Sequence, residues 1–429
     1  MEQQPRKRRR VRTVTKLTNV KLAREGKLVD DDLWFTTEEA GGRFVDAAQR
    51  FWASNSAQQF HADVVLDGGG AVVVPGFVDL QLNGAFGIDF TDPNLTEEDI
   101  DVVAKGILAH GVTSFLPTVI TAPSSVYQKV LPLLHPRSGG VHGAEILGVH
   151  VEGPFISKRK KGAHPEEHII SQFSDGWRSL EKVYGSENLN DGTIRLVTVA
   201  PELPGAADAI RSLSDAGVLV SAGHTTVGVE LAQKSVREGV KMVTHLFNAM
   251  AAFHHRDPGL VGLIGCDPRP WYGIIVDGLH VHPSAVCTAF RTHPTGCVLV
   301  TDAMAAMGLG CGKHKLSGVD VEVEEEQSLA AKSVKVLKAT VAGTETLAGA
   351  VVDMESCVLN LMTFTGCSVA EAAQCASTHP ARALGLSKKG KLNPGCDADF
   401  LLLDPEDFRI KETWVNGRLA WSRAPSKAG

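Results

Sequence analysis

Several things are missing from this chain, and each absence removes a class of protein. The eight cysteines all fall between Cys266 and Cys396, and no two form a C-x-x-C pair. That pattern offers neither a disulfide framework nor a thiolate zinc site, and it suits a reducing compartment, with the thiols acting mostly as small buried apolar groups. No apolar run approaches the roughly 20 residues of a membrane span. The amino terminus, MEQQPRKRRRVR, has no apolar core of the secretory kind. Arg6 to Arg10 read as a solvated, disordered tail over 1–12, with a nuclear-import or polyanion-binding patch as the alternative. A basic excess is also lacking: the net charge is −6, which argues against a general nucleic-acid surface. There is no P-loop, and no G-x-G-x-x-G follows a strand, so nucleotide cofactors have no support. The expectation is a cytoplasmic protein without nucleic-acid or membrane partners.

What remains is a chain of 429 residues, 43% hydrophobic and 21% charged, long enough to bury a large core. Eight short runs rich in Val, Ile and Leu read as buried parallel strands: 72–82, 112–120, 145–151, 193–200, 218–222, 241–244, 272–276 and 297–301. Helical patterns at 96–110, 205–216, 227–239, 283–292, 346–365 and 369–384 alternate with them or follow them. Repeated strand–helix alternation predicts a (β/α)8 barrel rather than an open sheet. Both ends of the chain read differently, as short strands and turns, including the hairpin signal Asn416-Gly417. Neither end makes a good core alone, so 13–74 and 389–429 are expected to pair into one small β-sandwich beside a barrel spanning 75–388. Periodicity is weak over 30–59, and 316–341 reads as a β excursion after the eighth strand.

Chemically loaded residues close the strand runs. Glu152 follows ILGVHV, His224 follows VLVSAG, His245 follows VKMVT, Asp302 follows CVLVT, and Asp277 and His280 follow YGIIV; Gln81 and Asn83 end the first run. The carboxyl ends of barrel strands are where such folds build active sites. Alone, His224 or His245 would more often be a hydrogen-bonded core histidine. Together with Glu152 they form a His₂Glu set that leaves a fourth position on zinc open for water. Asp302 fits a proton shuttle, while Asp277 and His280 have a strong rival explanation, because Asp-Gly makes ordinary turns. Asn248 and Ala249 precede His254, His255 and Arg256, whose guanidinium suits a phosphate or carboxylate. The long segment after the third strand carries Lys158 to Lys161 beside Ala163 and His164, a basic run placed to overhang the mouth.

The stretches PGFVDLQLNG (75–84), HVEGPF (150–155), GAHP (162–165), AGHT (222–225), THLFNAM (244–250), HRDPG (255–259), DGLH (277–280), VTDAM (300–304) and AGTETLAGA (342–350), with the tail GKLNPGCDADFLLLD (390–404), jointly resemble the amidohydrolase superfamily. Within it they look like the enzymes that deacetylate amino-sugar phosphates, from about residue 60 onward. The resemblance implies hydrolysis of the acetamide of N-acetyl-D-glucosamine 6-phosphate. It implies a divalent metal on Glu152, His224 and His245, and a proton shuttle at Asp302. Substrate contacts would come from His164, Asn248, Ala249, Arg256, His280, Leu347, Ala348 and Gly349, with Gln81, Asn83, Ala163 and Asp277 as secondary candidates. It further implies a homodimer with interface loops close to the phosphate site. Many relatives carry His-x-His where this chain has Gln81 and Asn83; amides are weak ligands, so one metal per subunit is expected. Zinc is the first choice, with nickel, cobalt or iron compatible. Rival readings are a hydrolase of cyclic amides and an inactive barrel serving as a scaffold. The first should show His-x-His, and the second should have lost a ligand or the acid.

Overall fold

A computed structural model of the chain describes residues 13–37, 41–47, 61–316, 319–327, 335–344 and 347–424. The basic run at the amino terminus and much of 30–59 lie outside these residues. Eight parallel strands make the barrel: Phe77–Leu82, Val112–Ile120, Val149–Glu152, Ile194–Val199, Leu219–Ala222, Val240–Val243, Trp271–Ile274 and Cys297–Leu299. Each pairs in parallel with the next. Being covered on both faces, they are rich in Val, Ile and Leu, with buried polar side chains such as Asp79, Thr118, His150, Thr198 and Ser221 set among them. The eighth strand meets the first by a different device. Asp302 N–H donates to Gln81 O at 2.8 Å, Asn83 N–H to Ala303 O at 2.8 Å, and the Thr301 hydroxyl to buried Asp79 at 2.6 Å.

Some expected elements divide. The run 72–82 is two strands parted at Gly76, which passes so close to Thr113 that a Cβ there would lie 2.3 Å from Thr113 Oγ1. Val72–Pro75 belongs to the small domain and Phe77–Leu82 to the barrel. The run 145–151 breaks at Gly148, whose φ of 122° sits in the region glycine favours. The expected helix 369–384 is likewise two, Val369–Ala376 and Thr378–Ala383, with Pro380 in the first turn of the second, where a missing N–H costs nothing. The expected helix 346–365 starts only at Met354, capped by Asp353 accepting from Ser356 N–H. Leu347–Gly349 is instead a strand paired with Lys335–Val341; cross-strand pairing overrides a helix-tolerant Leu-Ala stretch. Where TEED predicts a helix start, Thr96 and Asp99 form a capping box on Glu97–Gly106.

The two ends of the chain do combine. A six-stranded sheet runs in the order Arg418–Ser422, Ile410–Val415, Phe400–Leu403, Val72–Pro75, Lys21–Arg24, Lys27–Asp30. A three-stranded sheet, Leu33–Thr37, Thr13–Thr18 and Val64–Asp67, faces it. Leu22, Phe35, Phe44, Val73 and Phe400 fill the space between them. Asn416 and Gly417, at φ 51° and 70°, make the predicted hairpin turn. After the eighth barrel strand, four antiparallel strands (Gly312–Leu316, Val319–Gln327, Lys335–Val341, Leu347–Gly349) lay Val321, Val323 and Ala339 on Ala305 and Ala306, beside the barrel mouth. There are no disulfides among the described residues. Cys297, Cys357, Cys375 and Cys396 are buried as expected, whereas Cys311 is exposed.

Candidate active site

The chain leaves three of its barrel strands through residues that rarely adopt such backbone. His224, His245 and Asp302 have φ of 48°, 29° and 46°. Non-glycine residues at positive φ are uncommon and carry strain that the surroundings must hold. The effect is to stop each strand abruptly and aim its last polar side chain into the mouth. Glu152 ends the third strand in regular extended backbone, and the glycine after it makes the turn.

Three side chains converge there. Glu152 Oε1 lies 3.0 Å from His224 Nε2 and 3.0 Å from His245 Nε2, and the two imidazole nitrogens lie 3.0 Å apart. All three residues are at most 4% exposed. Two ring nitrogens and a carboxylate oxygen packed so closely need positive charge at their centre. Burial lowers the His245 pKa, yet the Glu152 carboxylate overrides this and lifts it to about 9. Burial likewise pushes the Glu152 carboxyl up, but the two imidazoles hold it well below the usual range. A divalent ion meets the same demand, since atoms 3.0 Å apart can share one ion through bonds of about 2.0–2.2 Å. His224 is set for this: its Nδ1 lies 2.8 Å from Lys160 O, so Nδ1–H donates outward and Nε2 keeps its lone pair.

Asp302 stands beside this group. Its Oδ1 accepts from Asn83 Nδ2 at 2.7 Å and from Gln81 Nε2 at 3.1 Å. The same Gln81 nitrogen donates to Glu152 Oε2 at 3.1 Å, so one amide spans both carboxylates. Burial, reinforced by the Glu152 charge, raises the Asp302 pKa to about 6. His164 is held by Thr121, whose hydroxyl lies 2.7 Å from its Nδ1, and burial drives its pKa down to about 3. His280 donates from Nδ1 to Asp277 at 2.5 Å, and Asp277 also accepts the Leu279 and His280 N–H groups. Burial opposes charge on both, but the pair prevails: the His280 pKa rises and that of Asp277 falls.

A cavity of about 860 Å³ opens over these groups. Of the residues singled out from the sequence, Asn83, Glu152, Ala163, His164, His224 and His245 line it, as do Asn248, Ala249, His280, Asp302, Leu347, Ala348 and Gly349. Three do not. Gln81 lies behind the wall, Asp277 orients His280 from outside it, and Arg256 is exposed with Nη1 3.0 Å from His255 Nε2. Nor do Lys158 to Lys161 face the cavity; the long segment contributes Gly162, Ala163, His164 and the Lys160 carbonyl instead. Thr121, Asp89 and Asp92 line it and were not anticipated. Thr121 closes the second strand run, so the rule that found Glu152 would have found it. Nothing in the sequence pointed to Val321 or Val341 as cavity wall.

Comparison with known proteins agrees with this geometry. The chain is 44% identical to the N-acetylglucosamine-6-phosphate deacetylase of Bos taurus, over 95% of this chain and 96% of that one. Among solved structures, the N-acetylglucosamine-6-phosphate deacetylase of Pasteurella multocida superposes with a TM-score of 0.79 at 26% identity, covering 96% of this chain and all of that one. A Mycobacterium smegmatis mutant deacetylase in complex with N-acetyl-D-glucosamine-6-phosphate gives 0.77 at 29%, with the same coverage. The sequence model of the amidohydrolase family matches residues 72–420. The barrel, its companion sandwich and the residues at its mouth therefore have one common explanation: this chain belongs to the amidohydrolase family.

Proposed function

We propose that the protein hydrolyses the acetamide of N-acetyl-D-glucosamine 6-phosphate to D-glucosamine 6-phosphate and acetate, as a step in amino-sugar breakdown. The observation that carries this is the close grouping of Glu152, His224 and His245 beside Asp302 within one cavity, in a chain 44% identical to a curated deacetylase. Glu152, His224 and His245 would hold one divalent ion per subunit, and the nitrogen-rich donor set makes zinc our choice. When bound, the ion supplies Lewis acidity, which polarises a carbonyl and brings the pKa of water towards neutrality.

The chain's own groups do the rest. Asp302 accepts both its side-chain hydrogen bonds on Oδ1, which leaves Oδ2 to take the proton from water and return it to the departing sugar nitrogen. Gln81 and Asn83 fix that carboxylate in place, and Gln81 ties it to Glu152. Thr121 holds His164 for the acetyl carbonyl or the sugar. Asp277 keeps His280 charged and turned towards the phosphate, with Asn248 and Ala249 beside it, while Leu347, Ala348 and Gly349 close the wall. The working form is taken to be a cytoplasmic homodimer. The loop that carries Arg256 favours the dimer: Arg256 is exposed, outside the walls of its own cavity, and Phe253 nearby is 62% exposed. A second copy would cover Phe253 and bring Arg256 to the phosphate end of the neighbouring cavity.

The test is acetate release from N-acetylglucosamine 6-phosphate by the full-length protein, with metal content measured on the same sample. About one ion per chain is expected, with release lost on chelation and restored by zinc. Undiminished release from metal-free protein, or none from loaded protein, would refute the proposal.

A further inference from the structure

Barrel interiors are ordinarily filled by layers of branched apolar side chains. The lower interior obeys this, with Leu116, Leu196, Leu219 and Met242 buried together. Two residues further along the same strands, on the same inward face, stand Thr118, Thr198, Ser221 and Thr244. His150 joins them from the third strand. All five are at most 2% exposed.

They form one continuous hydrogen-bonded chain. Leu82 N–H donates to Thr118 Oγ1 at 3.0 Å, which frees the Thr118 hydroxyl to donate to His150 Nδ1 at 3.3 Å. His150 Nε2 lies 2.8 Å from Thr198 Oγ1, that oxygen 2.8 Å from Thr244 Oγ1, and Thr244 Oγ1 2.6 Å from Ser221 Oγ. One direction of donation satisfies every link. The chain crosses strands two to six and stops beneath the proposed ligands. His150 is two residues before Glu152 on the same face, Thr244 immediately precedes His245, and Ser221 lies three residues before His224. Gly223, the residue before His224, rests directly on it: a Cβ there would sit 2.7 Å from Thr244 Cβ and 2.9 Å from Thr198 Cγ2.

Apolar residues of the same shape would fill this volume equally well. Hydroxyl directionality adds a fixed relative height and rotation between neighbouring strands. We infer that the layer His150, Thr118, Thr198, Thr244 and Ser221 is a positioning device that sets the spacing of Glu152 Oε1, His224 Nε2 and His245 Nε2, and so sets ion affinity. These are positioning residues, since none of them is a proposed ligand or lines the cavity.

The inference rests on the metal reading above, and its test separates the two. Zinc affinity would be measured on chelator-stripped full-length protein by competition with a chromogenic chelator, alongside thermal unfolding of the stripped form. Thr244→Val and Thr198→Val keep shape and delete the hydroxyl; each should weaken zinc binding roughly 10–100-fold, as loss of outer-sphere support does. Thr244→Ser and Thr198→Ser keep the hydroxyl and should retain affinity close to that of the unaltered protein. Unchanged affinity in both valine variants, even with lowered thermal stability, would overturn the positioning role. So would equal losses in the serine and valine variants. Failure of the unaltered protein to bind zinc at all would sink the metal reading itself, and this inference with it.

Discussion

Two regions of this molecule gather metal-capable side chains, and they end differently. At the mouth, Glu152 meets His224 and His245. At the opposite end, against the sandwich, Glu145 meets Asp397 and Asp399 with comparable closeness. The lower cluster is closed by the chain itself. Lys389 Nζ lies 2.7 Å from Asp399 Oδ2 and 3.0 Å from Asp397 Oδ2 and contacts Glu145, while Arg43 pairs with Asp397. Burial pulls the Lys389 pKa down, but Asp399 and Glu145 outweigh it and hold the amine charged. At the mouth, the ion-pair partners of Glu152 among the described residues are the two imidazoles alone. One cluster carries its cation covalently and joins two domains. The other opens on a cavity and, on the function proposed above, takes its cation from solution. Donor count does not separate structure from chemistry here; the source of the counter-charge does.

The comparison can be broken most severely at the lower cluster. Lys389→Met should leave buried Asp399 and half-buried Glu145 without their ammonium partner, Arg43 still pairing with Asp397, and cost about 3–5 kcal/mol of stability, read by denaturant unfolding. The turnover number of the surviving folded fraction should hardly change. A variant as stable as the parent would mean that the two clusters are not opposites. At the mouth the converse holds. Asp302→Asn should unfold with the parent and retain its metal, while kcat falls by roughly 10²-fold or more. In the parent, kcat/KM should fall as the pH drops through about 6, because protonated Asp302 cannot accept a proton. A bound cation can only move that limb lower, so a limb well above neutrality would assign it to another group. The smallest effect belongs to Arg256→Ala, which should raise KM for phosphorylated substrate and leave unphosphorylated N-acetylglucosamine nearly untouched. Equal losses on both would remove Arg256 from phosphate binding.

Much of this was legible in the linear chain, for identifiable reasons. Strands buried on both faces must be apolar, so a polar residue ending one stands out; Glu152, His224, His245 and Asp302 announced themselves that way. Thr121 obeys the same rule but, being neutral and small, does not stand out. Lys158 to Lys161 point in the other direction, and Arg256 stands apart from the cavity its motif suggested. Charge near a motif does not say which way a side chain points, and none of these enters the cavity wall of its own chain. The stretch 347–349 looked helical because its composition permits a helix, and only pairing with Lys335–Val341 made it a strand.

Periodicity and strand-end chemistry by themselves determined the alternating barrel elements and which polar residues close the strands, because each is a local consequence of burial. Distance between remote segments is not local. That Glu152 and His245, 93 residues apart, stand 3.0 Å from each other, that Gln81 spans two carboxylates, and that Lys389 closes the acidic cluster against the sandwich were decided only when the barrel closed and its strands took their register.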